Sequence, residues 1–380
     1  MRKLILSLFV AFFFIAPVEG KKYAWEYDFK RLQKEATAGD MMSQYWLGKT
    51  YSEGRLGVTP DQAKAFEWYL KAAQQGDADS QLEVALRYEK GNGTLKNEKE
   101  FIYWLEKCAD NDVDNTSTFI ARINLGRFIG LGLNGLEKNP EKGIAIVKRA
   151  SLRNYLSSDE VTFREVAKHN ILGDLLIEKA NATFNPDDYL EAEKAYGQSV
   201  NELDKRWVEG CRKDFQHALN SIALARLLYN TYADKDDYTV MIDALDRSAR
   251  WGNPNAKYVL GEFYYFGEYG LEKDTSKGWK LWSECRKTHS KAAYMMAEEY
   301  YNHRNYENAV KFFTTFVESD YPEYPASDEA KSDAYRKLST MYRYGRGVAA
   351  DEKKADDYLE KAAALGDADA AQIRSWLGGM

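Results

Sequence analysis

A block of about 36 residues recurs along this chain, and the recurrence constrains the fold more than any composition can. The first clear copy runs from Ser43 to Asp79, SQYWLGKTYSEGRLGVTPDQAKAFEWYLKAAQQGDAD. Tyr45, Leu47, Gly48 and Tyr51 fall on one face of a first amphipathic helix, which Gly54 and Gly57 end. Asp61 is placed to cap a second helix whose apolar stripe is Ala65, Trp68, Tyr69, Ala72 and Ala73, and Gly76 closes it. Two helices of this length cannot bury their apolar faces alone, so stability requires a neighbouring copy.

The copies are present. Val84, Tyr88, Gly91, Gly93, Asn97, Trp104, Cys108 and Ala109 repeat Leu47, Tyr51, Gly54, Gly57, Asp61, Trp68, Ala72 and Ala73. Leu125, Gly126, Gly132, Gly135, Asn139 and Ala150 form a third copy. Leu260, Gly261, Tyr264, Gly267, Gly270, Asp274 and Cys285 form a later one, and Leu338, Tyr342, Gly345, Gly347, Asp351, Ala362, Ala363 and Gly366 the last. The column of Asp61 holds Asn97, Asn139, Asp274 and Asp351, all good N-caps. The column of Gly48 is always small, which predicts close approach of neighbouring helices.

These residues resemble the Sel1-like repeat, a relative of the tetratricopeptide repeat, seen here as LGKTYSEGRLGVTPDQAKAFEWYLKAAQQG and LSTMYRYGRGVAADEKKADDYLEKAAALG. The resemblance implies an all-α, right-handed α/α solenoid of helix pairs. It covers about half of the chain. Residues 152–250 and 288–335 keep only fragments, such as Leu172-Gly173, the Ala244–Gly252 run, and Ala309 after Asn305-Tyr306. The expected organisation is a signal peptide at 1–20, an N-terminal capping helix at 21–42, repeats over 43–151, degenerate helical repeats over 152–250, and further repeats with a capping helix over 251–380. Capping elements shield the ends of a repeat stack.

Residues 1–20 read as a secretory signal. Arg2 and Lys3 precede an apolar run from Leu4 to Ala16, and Val18-Glu19-Gly20 offers small residues before the cleavage point. The expected location is periplasmic or secreted, with no membrane span after cleavage. The net charge is −6 and no basic run exists, which argues against nucleic acid as a partner.

No catalytic signature stands out. His169, His217, His289 and His303 form no HxxxH or HExxH pair. Asp110 to Asn115 imitates the start of a calcium loop, but Asn115 stands where glycine is required and Ala121 where glutamate is; the expectation is a solvated acidic loop. Gly130-Leu131-Gly132-Leu133-Asn134-Gly135 follows a helix and not a strand, so it is no dinucleotide site. Cys108 and Cys285 occupy the same small-residue slot of separate repeats and are expected to be buried thiols, not a disulfide; Cys211 has no assignment. No metal, cofactor or catalytic residue is expected.

Resemblance to Sel1-like and tetratricopeptide proteins implies recognition of a protein or peptide along a groove lined by first helices. Tyr45, Lys49, Arg127, Tyr258, Glu262 and Tyr265 are the expected binding residues: they vary between repeats and would face a ligand and not a neighbour. For the tyrosines, ordinary ridge packing is an equal reading. The leading expectation is a non-enzymatic scaffold in the bacterial cell envelope. The alternatives are a periplasmic immunity protein neutralising a secreted toxin and, third, a cell-wall-directed enzyme. The oligomeric state is open.

Overall fold

The structure, a computed structural model, describes residues 28–151, 158–205 and 210–377. The signal sequence expected at 1–20 and the first residues of the capping segment lie outside the described residues. Among the described residues there are eighteen α-helices and no strand, so the chain is an all-α helical repeat fold. It divides into two compact units, Met1–Cys211 and Arg212–Met380.

In the first unit α1 (Phe29–Thr37) covers α2, burying Leu32 and Ala36, as a capping helix should. Three helix pairs follow: α2 (Met41–Glu53) with α3 (Gln62–Gln74), α4 (Ala78–Lys90) with α5 (Glu98–Ala109), and α6 (Thr116–Leu131) with α7 (Pro140–Lys148). The weakly patterned stretch continues the scheme with longer helices, α8 (Ser158–Thr183) folding back on α9 (Pro186–Lys205). The second unit pairs α10 (Arg212–Ala233) with α11 (Thr239–Arg250), α12 (Pro254–Phe266) with α13 (Thr275–Cys285), α14 (Ser290–Asn302) with α15 (Tyr306–Glu318), and α16 (Asp328–Arg343) with α17 (Glu352–Ala364). It ends on α18 (Ala368–Leu377).

The cap column behaves as its chemistry dictates. The side chains of Asp61, Asn97, Asn139, Asp274 and Asp351 each accept a backbone N–H two or three residues on, satisfying donors that the first helical turn leaves open. The structure adds a second cap column. Where a glycine follows α1, α3, α11 and α17, the next residue is acidic or an amide, and Asp40, Asp77, Asn253 and Asp367 accept from the amides of Ser43, Ser80, Ala256 and Ala370 at 2.7–2.9 Å. The Gly-Asp or Gly-Asn dipeptide thus ends one helix and starts the next.

The small-residue column is a helix-contact column. A Cβ on Gly48 would lie 2.9 Å from the Tyr69 ring, on Gly173 2.5 Å from Tyr196, and on Gly261 2.6 Å from Trp282. The Leu172-Gly173 fragment therefore marks a true structural equivalent inside the irregular stretch. Cys108 and Cys285 are buried free thiols, each within its own unit, and Cys211 is fully buried. Burial pushes the Cys285 thiol up to about 12 and the Cys108 thiol further still.

Candidate functional site

The first helices carry the residues expected to bind, and each unit arranges them differently. In the first unit Tyr45 and Lys49 lie on successive turns of α2. The Tyr45 ring is half-buried, 5.2 Å edge-on to Trp46 and 5.9 Å from Tyr69. Burial, then the carboxylates of Asp79 and Glu83, hold its hydroxyl well above the ordinary tyrosine range. Lys49 was expected to face a ligand, yet only 8% of it is exposed; its ammonium lies 5.3 Å from the Trp46 ring. Helices α1 and α3 pack against α2, and the Glu83 carboxylate of α4 lies close enough to attract the Lys49 charge. Arg127, on α6, remains half-exposed.

Two arginines that sequence reasoning missed organise this unit. Arg87 donates to Ser52 Oγ at 2.8 Å and to Gln62 Oε1 at 3.0 Å, and its guanidinium lies 5.0 Å from the Tyr69 ring, tying the first two repeats together. Arg122 refines the reading of the Asp110–Asn115 segment as a solvated acidic loop: Asp110 and Asp112 are exposed, whereas Asp114 turns inward. Its guanidinium donates to the carbonyls of Ala109 and Asn111 at 3.0 and 2.8 Å and to Asp114 at 2.9 Å. The loop is wrapped around an internal cation, and Asn115 caps α6. No local spacing announces such a contact, because Arg122 follows the loop on the next helix.

In the second unit the first helices α12, α14 and α16 are joined by hydrogen bonds from tyrosine hydroxyls to carboxylates. Tyr258 donates to Glu262 at 2.6 Å within α12, Tyr265 reaches Glu299 on α14 at 2.6 Å, and Tyr294 reaches Asp333 on α16 at 2.6 Å. Lys337 then bridges Asp333 at 2.7 Å and Glu298, with the rings of Tyr294, Tyr301 and Phe313 5.4–5.9 Å from its ammonium. Burial pushes the Tyr265 hydroxyl up to about 12, helped by Glu299, and raises the Glu262 carboxyl above the usual carboxylate range. Tyr265, Glu262, Glu298, Glu299 and Asp333 stay partly exposed, so this ladder of aromatic rings and charges faces outward.

Tyr258 is different. It was expected to be a free reader, but only 8% of it is exposed. Its ring stacks on His289 at 4.5 Å, and its carbonyl accepts from Trp282 Nε1 at 3.1 Å. For Tyr258 the ridge reading is the one the packing supports, and its removal would disturb the fold.

Comparison with known proteins follows from this repeat geometry. The Sel1 repeat family matches residues 42–77, 78–113, 120–155, 254–284 and 332–367. The chain carries Sel1 repeats. A solved Sel1 repeat protein from Oxalobacter formigenes shares the fold, with a TM-score of 0.60 at 20% identity over 94% of this chain and 92% of that one. Among curated proteins, chitin synthase regulatory factor 3 of Schizosaccharomyces pombe is 32% identical over 28% of this chain and 11% of its own length. Chitin synthase regulator SKT5 of Saccharomyces cerevisiae is 24% identical over 69% of this chain and 40% of its own. The Sel1 chain thus spans less than half the length of these two curated relatives. Its repeats are of the protein-interaction type, and no described helix is long and apolar enough to cross a membrane.

Proposed function

We propose that this Sel1-repeat chain is a non-enzymatic scaffold of the bacterial cell envelope, exported by residues 1–20 to the periplasm or beyond, that binds a protein or peptide through the first helices of its repeats. The observation that carries the reading is the tyrosine–carboxylate ladder of α12, α14 and α16. Its rings offer rigid amphipathic area, and its carboxylates and Lys337 offer charges of both signs held in place by neighbours. Such preorganisation lowers the entropy lost on binding. The two curated relatives bear the names of regulators of chitin synthase, and acting on an enzyme without performing its chemistry is what a scaffold does. Within the ladder Tyr265 and Glu262 contact the partner, with Tyr258 supporting them from below; Arg127 and Tyr45 serve the face of the first unit, and Lys49, buried beneath it, does not.

The test is affinity capture from the envelope fraction with the mature chain, repeated with Tyr265→Ala and Arg127→Ala. Both positions are half-exposed, so the helix content should hold. The expected outcome is one partner retained by the wild type and lost, by about tenfold or more in affinity, from at least one variant. A partner bound equally by all three folded proteins would refute the assignment of the face.

A further inference from the structure

His289 sits where three elements of the second unit meet, and the partner-binding face does not use it. It is the N-cap of α14, with 3% of its surface exposed. Its Nδ1 accepts from the Ala292 amide at 3.4 Å, which places the proton of the neutral ring on Nε2. One face of the imidazole stacks on Tyr258 of α12 at 4.5 Å and 19°, and the other on Tyr324 at 4.7 Å and 27°. Tyr324 belongs to the segment between α15 and α16, which doubles back to lie alongside the start of α14. There Ser290 donates its amide to the Tyr324 carbonyl at 3.3 Å, in the one isolated β-bridge among the described residues.

We infer that His289 is an acid-labile clasp: protonating its ring abolishes the Nδ1 acceptor that caps α14 and releases the Tyr324 segment from that helix. The imidazolium has two N–H donors and no acceptor, so the Ala292 amide loses its partner and a charge is left in a site closed to water. The surroundings offer that charge little. Tyr258 has its hydroxyl committed to Glu262, Cys285 presents its backbone carbonyl to the His289 amide at 2.9 Å, Glu284 is bound to Lys257, and Glu323 flanks Tyr324. Lys291, on the same helix, repels it. Burial and then Lys291 accordingly lower the imidazole from its ordinary 6.5 to about 4. The sign follows by linkage. The open form binds a proton more readily than the closed form, so closure is complete above pH 6.5 and is lost as pH falls towards 4. From pH 7 to pH 4.5 the closed-to-open ratio drops roughly 60-fold, given those two values. The clasp stands whether or not the ladder binds a partner.

Hydrogen exchange of the full chain at pH 7 and pH 4.5, corrected for the intrinsic rate, tests it. The amides of Ser290 and Ala292 should lose most of their protection at the lower pH, while those of α6 in the other unit, an internal control for global unfolding, should keep theirs. His289→Asn retains a side-chain acceptor suited to an N-cap but does not titrate, and should make protection at these amides independent of pH. Constant protection in the wild type, or the same fall in the variant, would overturn the clasp. Should the variant fail to fold, the ring C2 proton of His289 in the wild type decides: a titration midpoint near 4 is expected, and one near 6.5 refutes the inference.

Discussion

Gly57 and Gly93 occupy the same column of successive repeats and share a backbone φ of +76°. Alanine at either position must adopt a left-handed conformation, at a cost of about 1 kcal/mol. Their surroundings differ. A Cβ on Gly57 would meet nothing within 4 Å, whereas one on Gly93 would stand 2.0 Å from the Gln62 carbonyl oxygen and 2.5 Å from its carbon. That obstacle is backbone at the first residue of α3, next to the Asp61 cap, so no rotamer can relieve it. Displacing it by more than an ångström adds an overpacking cost of about 1–3 kcal/mol. Gly93→Ala should therefore destabilise the first unit by about 2–4 kcal/mol and Gly57→Ala by about 1. The comparison cancels the backbone and unfolded-state terms common to both glycines. Urea unfolding followed by far-ultraviolet circular dichroism reads the difference as a shift in midpoint at constant slope. The second unit supplies an independent pair. A Cβ on Gly347 would lie 2.2 Å from the Tyr306 carbonyl carbon, and one on Gly270 would meet nothing. If Gly93→Ala and Gly347→Ala cost no more than Gly57→Ala and Gly270→Ala, the column would serve the turn alone, and close repeat-to-repeat contact would be refuted as the reason for glycine there.

Asp274→Ala should cost about 1 kcal/mol, since it removes the acceptor from the Lys277 amide at 2.9 Å, and Asp274→Asn should restore most of it; thermal unfolding measures both. Cys108 and Cys285 should not react with an aromatic disulfide reagent at pH 8 until urea unfolds the chain, because burial holds both as protonated thiols; rapid labelling of either in the native protein would contradict their placement.

Much of this fold is legible in the chain because its determinants are local. An N-cap and a glycine of positive φ act within a few residues, and the small residue at a helix contact acts within a single helix pair, so Asp61, Gly54 and Gly48 announce themselves and recur at the repeat period. The irregular middle is opaque for the same reason. In α8 and α9 the turn glycines are absent, and only Gly173 against Tyr196 keeps the contact. The face of the first helices lies beyond such reasoning. Which of Lys49, Tyr258 and Tyr265 is covered depends on side chains brought from other elements, as Trp282 and His289 are to Tyr258. Arg122 inside its own loop and His289 between Tyr258 and Tyr324 show the same limit. The sequence by itself determined that helix pairs form and stack, since caps and turns are short-range chemistry. The tertiary structure decided which tyrosines support the fold and which face solvent, because burial belongs to the packed assembly of repeats and not to any one of them.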